Sequence, residues 1–168
     1  MPHIVVSPLS QLAEQIGQHR PSHIVTLTSA DVPSLPSDAK RLSLIFNDIV
    51  EPRDGLVLPD QTHVEQLLDF AAGWDRALPL LIHCYAGISR STAGAYIIKL
   101  ALDQKLDEAE LANTLRQLSP SATPNLRLIG LADEILGRRG RMVAAIKAIG
   151  RGAEAFEGEV FSLPVADR

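Results

Sequence analysis

"LLIHCYAGISRSTAGAY", residues 80–96, decides how this chain is read: an apolar run, a histidine, the only cysteine, a glycine-containing turn, an arginine, then helix-forming residues. The apolar run through Cys84 suits a buried strand, and Gly87 supplies the turn from which a helix starts near Arg90. Strand, turn and helix in that order make an anion site, because successive backbone N–H groups converge beside the positive end of the helix. A phosphate-sized dianion matches that seat, lined by Tyr85, Ala86, Gly87, Ile88, Ser89 and Arg90. Cys84 stands at its floor, where the amide dipoles, the helix terminus and Arg90 favour a thiolate, which makes it a nucleophile.

Five residues separate Cys84 from Arg90. That length lets the guanidinium fold back and clamp two oxygens of a phosphoryl group, a fork that lysine lacks. Ser91 is placed to donate its hydroxyl to the sulfur, which steadies the thiolate and makes it a better leaving group. His83 reads as a residue that stiffens the loop through hydrogen bonds rather than as a base.

Outward from this loop, "HIVV" (3–6), "HIVTLT" (23–28), "RLSLIF" (41–46) and "LPLLIHCY" (78–85) read as strands. Leu9, Leu12, Ala13 and Ile16 fall at helical spacing between the first two, and "PDQTHVEQLLDFAAGW" (59–74) reads as a helix entered at Pro59 or Asp60. After the loop the chain is mainly helical, with one helix opened by Asp107 and another following Pro124. Strands alternating with helices predict an α/β fold: a mostly parallel central sheet of four to five strands flanked by helices, with a mainly helical C-terminal half. Residues 1–152 are expected to form one domain, and 153–168, rich in Gly and charge, a loosely held tail.

Composition narrows the function. A net charge of −4, with 4% aromatic residues, gives no general attraction to nucleic acid and few stacking platforms. No stretch has the length and apolarity of a membrane span, and a single cysteine fits a reducing, cytoplasmic setting. His19, His23 and His63 share no metal-binding spacing, and the loop chemistry requires neither metal nor cofactor. Trp74 reads as a core or helix-end residue. The basic stretch containing Arg138, Arg139, Arg141, Lys147 and Arg151 is either a solvated helix face or a dock for an acidic partner or lipid headgroup.

"HCYAGISRST" resembles the His-Cys-(five residues)-Arg-Ser/Thr pattern of the cysteine-dependent protein tyrosine phosphatases, and its flanks resemble the dual-specificity-like branch. "SATPNLRLIGLADEILG" is similar to the segment of that branch in which a Pro-Asn pair, here Pro124 and Asn125, opens a helix beside the cysteine loop. The resemblance implies a two-step reaction on a phosphorylated protein, at phosphotyrosine with phosphoserine and phosphothreonine as further candidates, or on a small phosphomonoester: Cys84 attacks phosphorus, an aspartic acid protonates the leaving oxygen, and water hydrolyses the thiophosphate. The family places this acid just after the strand preceding the long helix, which favours Asp48. Asp54 is the alternative, although Gly55 beside it signals a turn. Tyr85, Ala86 and Ile88 add no cation within the loop, which argues against inositol phosphates. Two other readings stand beside the phosphatase: a catalytically silent phosphate-binding module, and a rhodanese-like sulfurtransferase. The physiological substrate and the oligomeric state are not read from the sequence.

Overall fold

The computed structural model describes residues 1–168. The charge-poor β-branched runs become the middle of the sheet: β1 (His3–Pro8), β2 (His23–Thr28) and β4 (Leu80–Cys84). β3 (Lys40–Ile45), which carries Lys40 and Arg41, lies at one edge. The other edge is a fifth strand, β5 (Phe161–Pro164), so that the order is β3-β2-β4-β1-β5. All neighbours run parallel except β5, which pairs antiparallel with β1. Pro164 ends that edge strand, a position where a missing N–H costs the ladder little.

The fifth strand corrects one expectation. Residues 161–165 are not loosely held: Phe161, Leu163 and Val165 are buried in the main core, Ile4 pairs with Leu163, and the Val165 N–H donates to the Pro2 carbonyl. Alternating apolar residues in "VFSLPV" outweigh the Gly- and Glu-rich composition just before them.

Strand side chains alternate between two apolar layers. Ile4, Val6, Val25, Leu27, Leu80, Ile82 and Cys84 face the large core, while Val5, Ile24 and Leu81 face a small one beneath α1 (Leu12–His19). The remaining helices supply the large side: α2 (Gln61–Ala72), α3 (Arg90–Leu102), α4 (Glu108–Leu118), α5 (Leu126–Leu136) and α6 (Arg141–Ile149). Trp74, just past α2, is fully buried there with its indole N–H on the Leu78 carbonyl, 2.8 Å away. The helix starts follow local chemistry. Asp60 caps α2 in a reciprocal box with His63, Asp107 caps α4, and Asn125 caps α5.

α3 is the axis of the large side, with almost every residue buried. A helix apolar all round packs on every face. Gly94 lets it lie close to the sheet, since a Cβ there would come within 2.5 Å of Ile82 Cδ1. Parallel packing of β4 between β1 and β2 therefore delivers Cys84 and the start of α3 to the same edge of the core. No helix is long and apolar enough to cross a membrane.

Candidate active site

The loop between β4 and α3 is held from outside by its carbonyls. Tyr85 O accepts from Leu9 N (3.0 Å), Ala86 O from Gly158 N (2.7 Å), Ile88 O from Thr123 N (2.9 Å) and Ser89 O from Asn125 N (3.2 Å). The Thr92 hydroxyl donates to Ile88 O at 2.6 Å. With the carbonyls turned outward, the N–H groups of Ala86, Ile88 and Ser89 make no backbone hydrogen bond and are available to an anion. Gly87 reverses the chain at φ +71°, and a Cβ there would lie 2.9 Å from Pro8 N, so both conformation and space require glycine.

Cys84 is only 2% exposed and faces into this loop. Its Sγ accepts from Gly87 N at 3.2 Å and lies 3.1 Å from Ser91 Oγ. The Gly87 amide donates to sulfur, and in the second contact either Sγ or the Ser91 hydroxyl can be the donor. Arg90, also buried, spends Nη1 on Ser29 Oγ (2.9 Å) and Phe46 O (2.8 Å). Those two bonds fix the guanidinium and leave the Nε–Nη2 edge as a fork for two oxygens.

His83 has a defined tautomer. The Thr26 hydroxyl accepts from Arg41 Nε (3.2 Å) and Nη2 (3.0 Å), so its own proton points to His83 Nε2 at 2.8 Å. Nδ1 then carries the ring proton and faces Cys84 O at 3.4 Å. Burial, aided by the nearby Arg41 and Arg90 charges, brings the imidazole pKa down to about 4 against the Cys84 carbonyl contact, so His83 is neutral. The ring is buried between the Thr26 hydroxyl and the Cys84 carbonyl.

Asp48 reaches the site from the segment after β3. Asn47 pinches that segment closed: its N–H donates to Val57 O and its side-chain oxygen accepts from Val57 N, both at 2.8 Å. Asp48 Oδ1 accepts from Ser89 Oγ (2.7 Å) and Asn125 Nδ2 (2.8 Å). Both donors share one oxygen, and Oδ2 makes no hydrogen bond to the protein. Asp54 instead stands on the exposed turn at the tip, where Gly55 takes φ +76°. Asn125 joins the pieces: it caps α5 through Leu128 N (3.0 Å), bonds Asp48 and Ile49 O, and gives its N–H to Ser89 O in the β4–α3 loop.

The structure thus brings together Cys84, Ser89, Arg90, Ser91, Asp48 and Asn125, with His83 beneath them. Sequence reasoning missed Thr26, Arg41, Ser29, Thr123 and Gly158, whose roles depend on pairing across the sheet and on distant loops. The basic stretch divides. Arg138 is buried, donating to Leu100 O, Asp103 O, Leu106 O and Glu108 Oε1, while Arg141 also bonds Glu108. Lys147 and Arg151 lie beside the site. No group of three His, Cys, Asp or Glu side chains is placed to hold a metal ion.

A cysteine at the end of a central parallel strand, an arginine opening the next helix and an aspartate arriving from the strand at the sheet edge meet on a fold similar to that of solved dual-specificity phosphatases. DUSP15 is 19% identical with a TM-score of 0.62, covering 88% of this chain and 92% of its own. Human DUSP28 is 16% identical with a TM-score of 0.61, at 88% and 95% coverage. PTPMT1, solved in complex with PI(5)P, is 12% identical with a TM-score of 0.60, at 87% and 93% coverage. No family model matches the sequence, and no curated protein does.

Proposed function

We propose that this protein hydrolyses phosphomonoesters of proteins, phosphotyrosine above all, through a phosphocysteine intermediate on Cys84. The observation that carries the reading is the pair of contacts on Cys84 Sγ, from Gly87 N and Ser91 Oγ, inside a loop whose outward carbonyls free its amides for phosphate. The Cys84 thiolate attacks phosphorus, and the S–P bond forms as the P–O bond to the leaving group breaks. Asp48 gives its proton to the departing oxygen. Water then attacks the thiophosphate, its proton passes to Asp48, and sulfur leaves as thiolate with Ser91 as donor. The loop amides and the Arg90 fork bind the equatorial oxygens throughout, stabilising charge where it develops. Tyr85, Ala86 and Ile88 add no second cation beside that phosphate, which favours a singly phosphorylated residue over an inositol polyphosphate. The chemistry uses side-chain and backbone groups alone.

The test is p-nitrophenyl phosphate hydrolysis by the purified protein across pH, with Cys84→Ser as control. A bell-shaped profile in the mildly acidic range, absent from the variant, is expected. Substantial turnover by Cys84→Ser would refute the covalent route, and phosphate binding without turnover at any pH would make the loop a phosphate reader.

A further inference from the structure

A groove of about 1110 Å³ runs beside the catalytic loop, from the 48–53 segment past the start of α5 to the end of α6 and residues 150–156. Pockets of roughly 300–1,000 Å³ enclose an entire drug-sized ligand, so this one is longer than a single phosphorylated side chain needs. Its lining joins two chemistries. Val50, Leu126 and Phe156 are exposed apolar side chains, Phe156 by 85%. Arg53, Lys147 and Arg151 are cations.

Those three cations stand apart from their neighbours. Arg116, Arg127, Arg138 and Arg141 are all anchored to carbonyls or to Glu108, whereas Arg53, Lys147 and Arg151 make no ion pair or side-chain hydrogen bond. The acidic members of the lining are Asp48, already committed to Ser89 and Asn125, and Glu154. Free cations gathered around one groove, on a chain of net charge −4, mark a surface built to meet negative charge.

We propose that this groove receives the flanks of a phosphopeptide, an extended segment with acidic residues facing Arg53, Lys147 and Arg151 and an apolar residue against Phe156. The inference rests on the phosphatase reading above and names its substrate class. Apolar and cationic side chains distributed along a groove match an extended chain, whose successive side chains can engage both. A lipid headgroup would concentrate its charge next to the reacting phosphate, where the catalytic loop supplies only Arg90.

The experiment compares kcat/KM on two phosphotyrosine peptides of equal length, one flanked by Glu and Leu, the other with Lys in place of Glu. p-Nitrophenyl phosphate and vesicles of a phosphatidylinositol monophosphate are run alongside. The wild type is expected to prefer the acidic peptide by about tenfold, less as salt rises, since rim charges act mainly on encounter. The double variant Lys147→Glu/Arg151→Glu brings that ratio to near one or inverts it, and Lys105→Glu, an exposed cation elsewhere, keeps it. Equal kcat/KM on both peptides, with p-nitrophenyl phosphate hydrolysed, would overturn this inference and leave the phosphatase intact. Faster turnover of the lipid than of either peptide would also overturn it. If p-nitrophenyl phosphate is not hydrolysed, the phosphatase reading fails, and fluorescence anisotropy of the two labelled peptides decides the groove: preference for the acidic one supports it, equal binding refutes it.

Discussion

Gly158→Ala isolates what the C-terminal segment does for the loop that holds Cys84, and hence for the proposed reaction. Gly158 is not in the left-handed region, so alanine suits its backbone; the effect comes from contact alone. The added Cβ would lie 2.4 Å from Gly87 O and 3.0 Å from Gly87 C, against backbone that cannot swing aside as a side-chain end does. Reaching van der Waals distance requires a separation of about 1 Å more. That movement either breaks the 2.7 Å bond from Gly158 N to Ala86 O or displaces the loop carrying the Gly87 N–H that holds the sulfur. Losing the bond costs about 1 kcal/mol, and overpacking adds roughly 1–3 kcal/mol. A displacement of about 1 Å at a reacting group is worth on the order of 100-fold in rate. The expected result is a fall in kcat on p-nitrophenyl phosphate of about 10- to 100-fold, together with weaker phosphate protection against thermal unfolding. Gly158→Ala with kcat within about twofold of wild type and unchanged phosphate binding would refute the reasoning, since it would mean the loop keeps its geometry without this contact.

The other expectations follow from single contacts. Asp48→Asn should slow release of a phenol of high pKa far more than release of p-nitrophenol, because an activated leaving group needs little protonation; equal losses on both would remove Asp48 from the acid role. His83 binds a proton more weakly in the fold, at about pH 4, than in the unfolded chain, at about 6.5. Stability from keeping it neutral is therefore complete above pH 6.5 and lost as pH falls toward 4, by roughly 3 kcal/mol in all. Denaturant unfolding of wild type and His83→Asn at pH 7 and pH 4.5 measures this, and identical pH slopes would refute it. Glu108→Gln leaves Arg138 buried without its counter-charge and should lower the unfolding free energy by about 3 kcal/mol; a change in midpoint too small to resolve would show that the four carbonyl and carboxylate bonds of Arg138 do not depend on the charge.

What was legible in the sequence is what local chemistry decides. The four parallel strands, the helix starts at Asp60, Asp107 and Asn125, and the loop from Cys84 to Ser91 all follow from periodicity, caps and a motif short in sequence. Asp48 was legible only as the residue after a strand, and its contacts with Ser89 and Asn125, which meet it from distant parts of the chain, were not. β5 was not legible, because a short run containing Pro164 has no strong propensity and acquires its conformation from the free edge of β1. The Arg41–Thr26–His83 relay was hidden for a similar reason. It exists because β2 lies between β3 and β4 with Thr26 opposite both Ser43 and His83, a register that no single segment encodes. The basic stretch looked uniform in one dimension, and only tertiary contacts separate the buried Arg138 from the groove cations.

The four outward carbonyls of the β4–α3 loop make its shape depend on the completed fold. Their partners, Leu9, Thr123, Asn125 and Gly158, come from widely separated parts of the chain, so each bond closes a large loop whose entropy must be met before the contact exists. A partly folded chain with β1, β2 and β4 already paired would hold Cys84 and Arg90 near each other and still lack a shaped oxyanion seat. On the phosphatase reading, inorganic phosphate or vanadate would bind only the completed fold, stabilise it by mass action and report its completion.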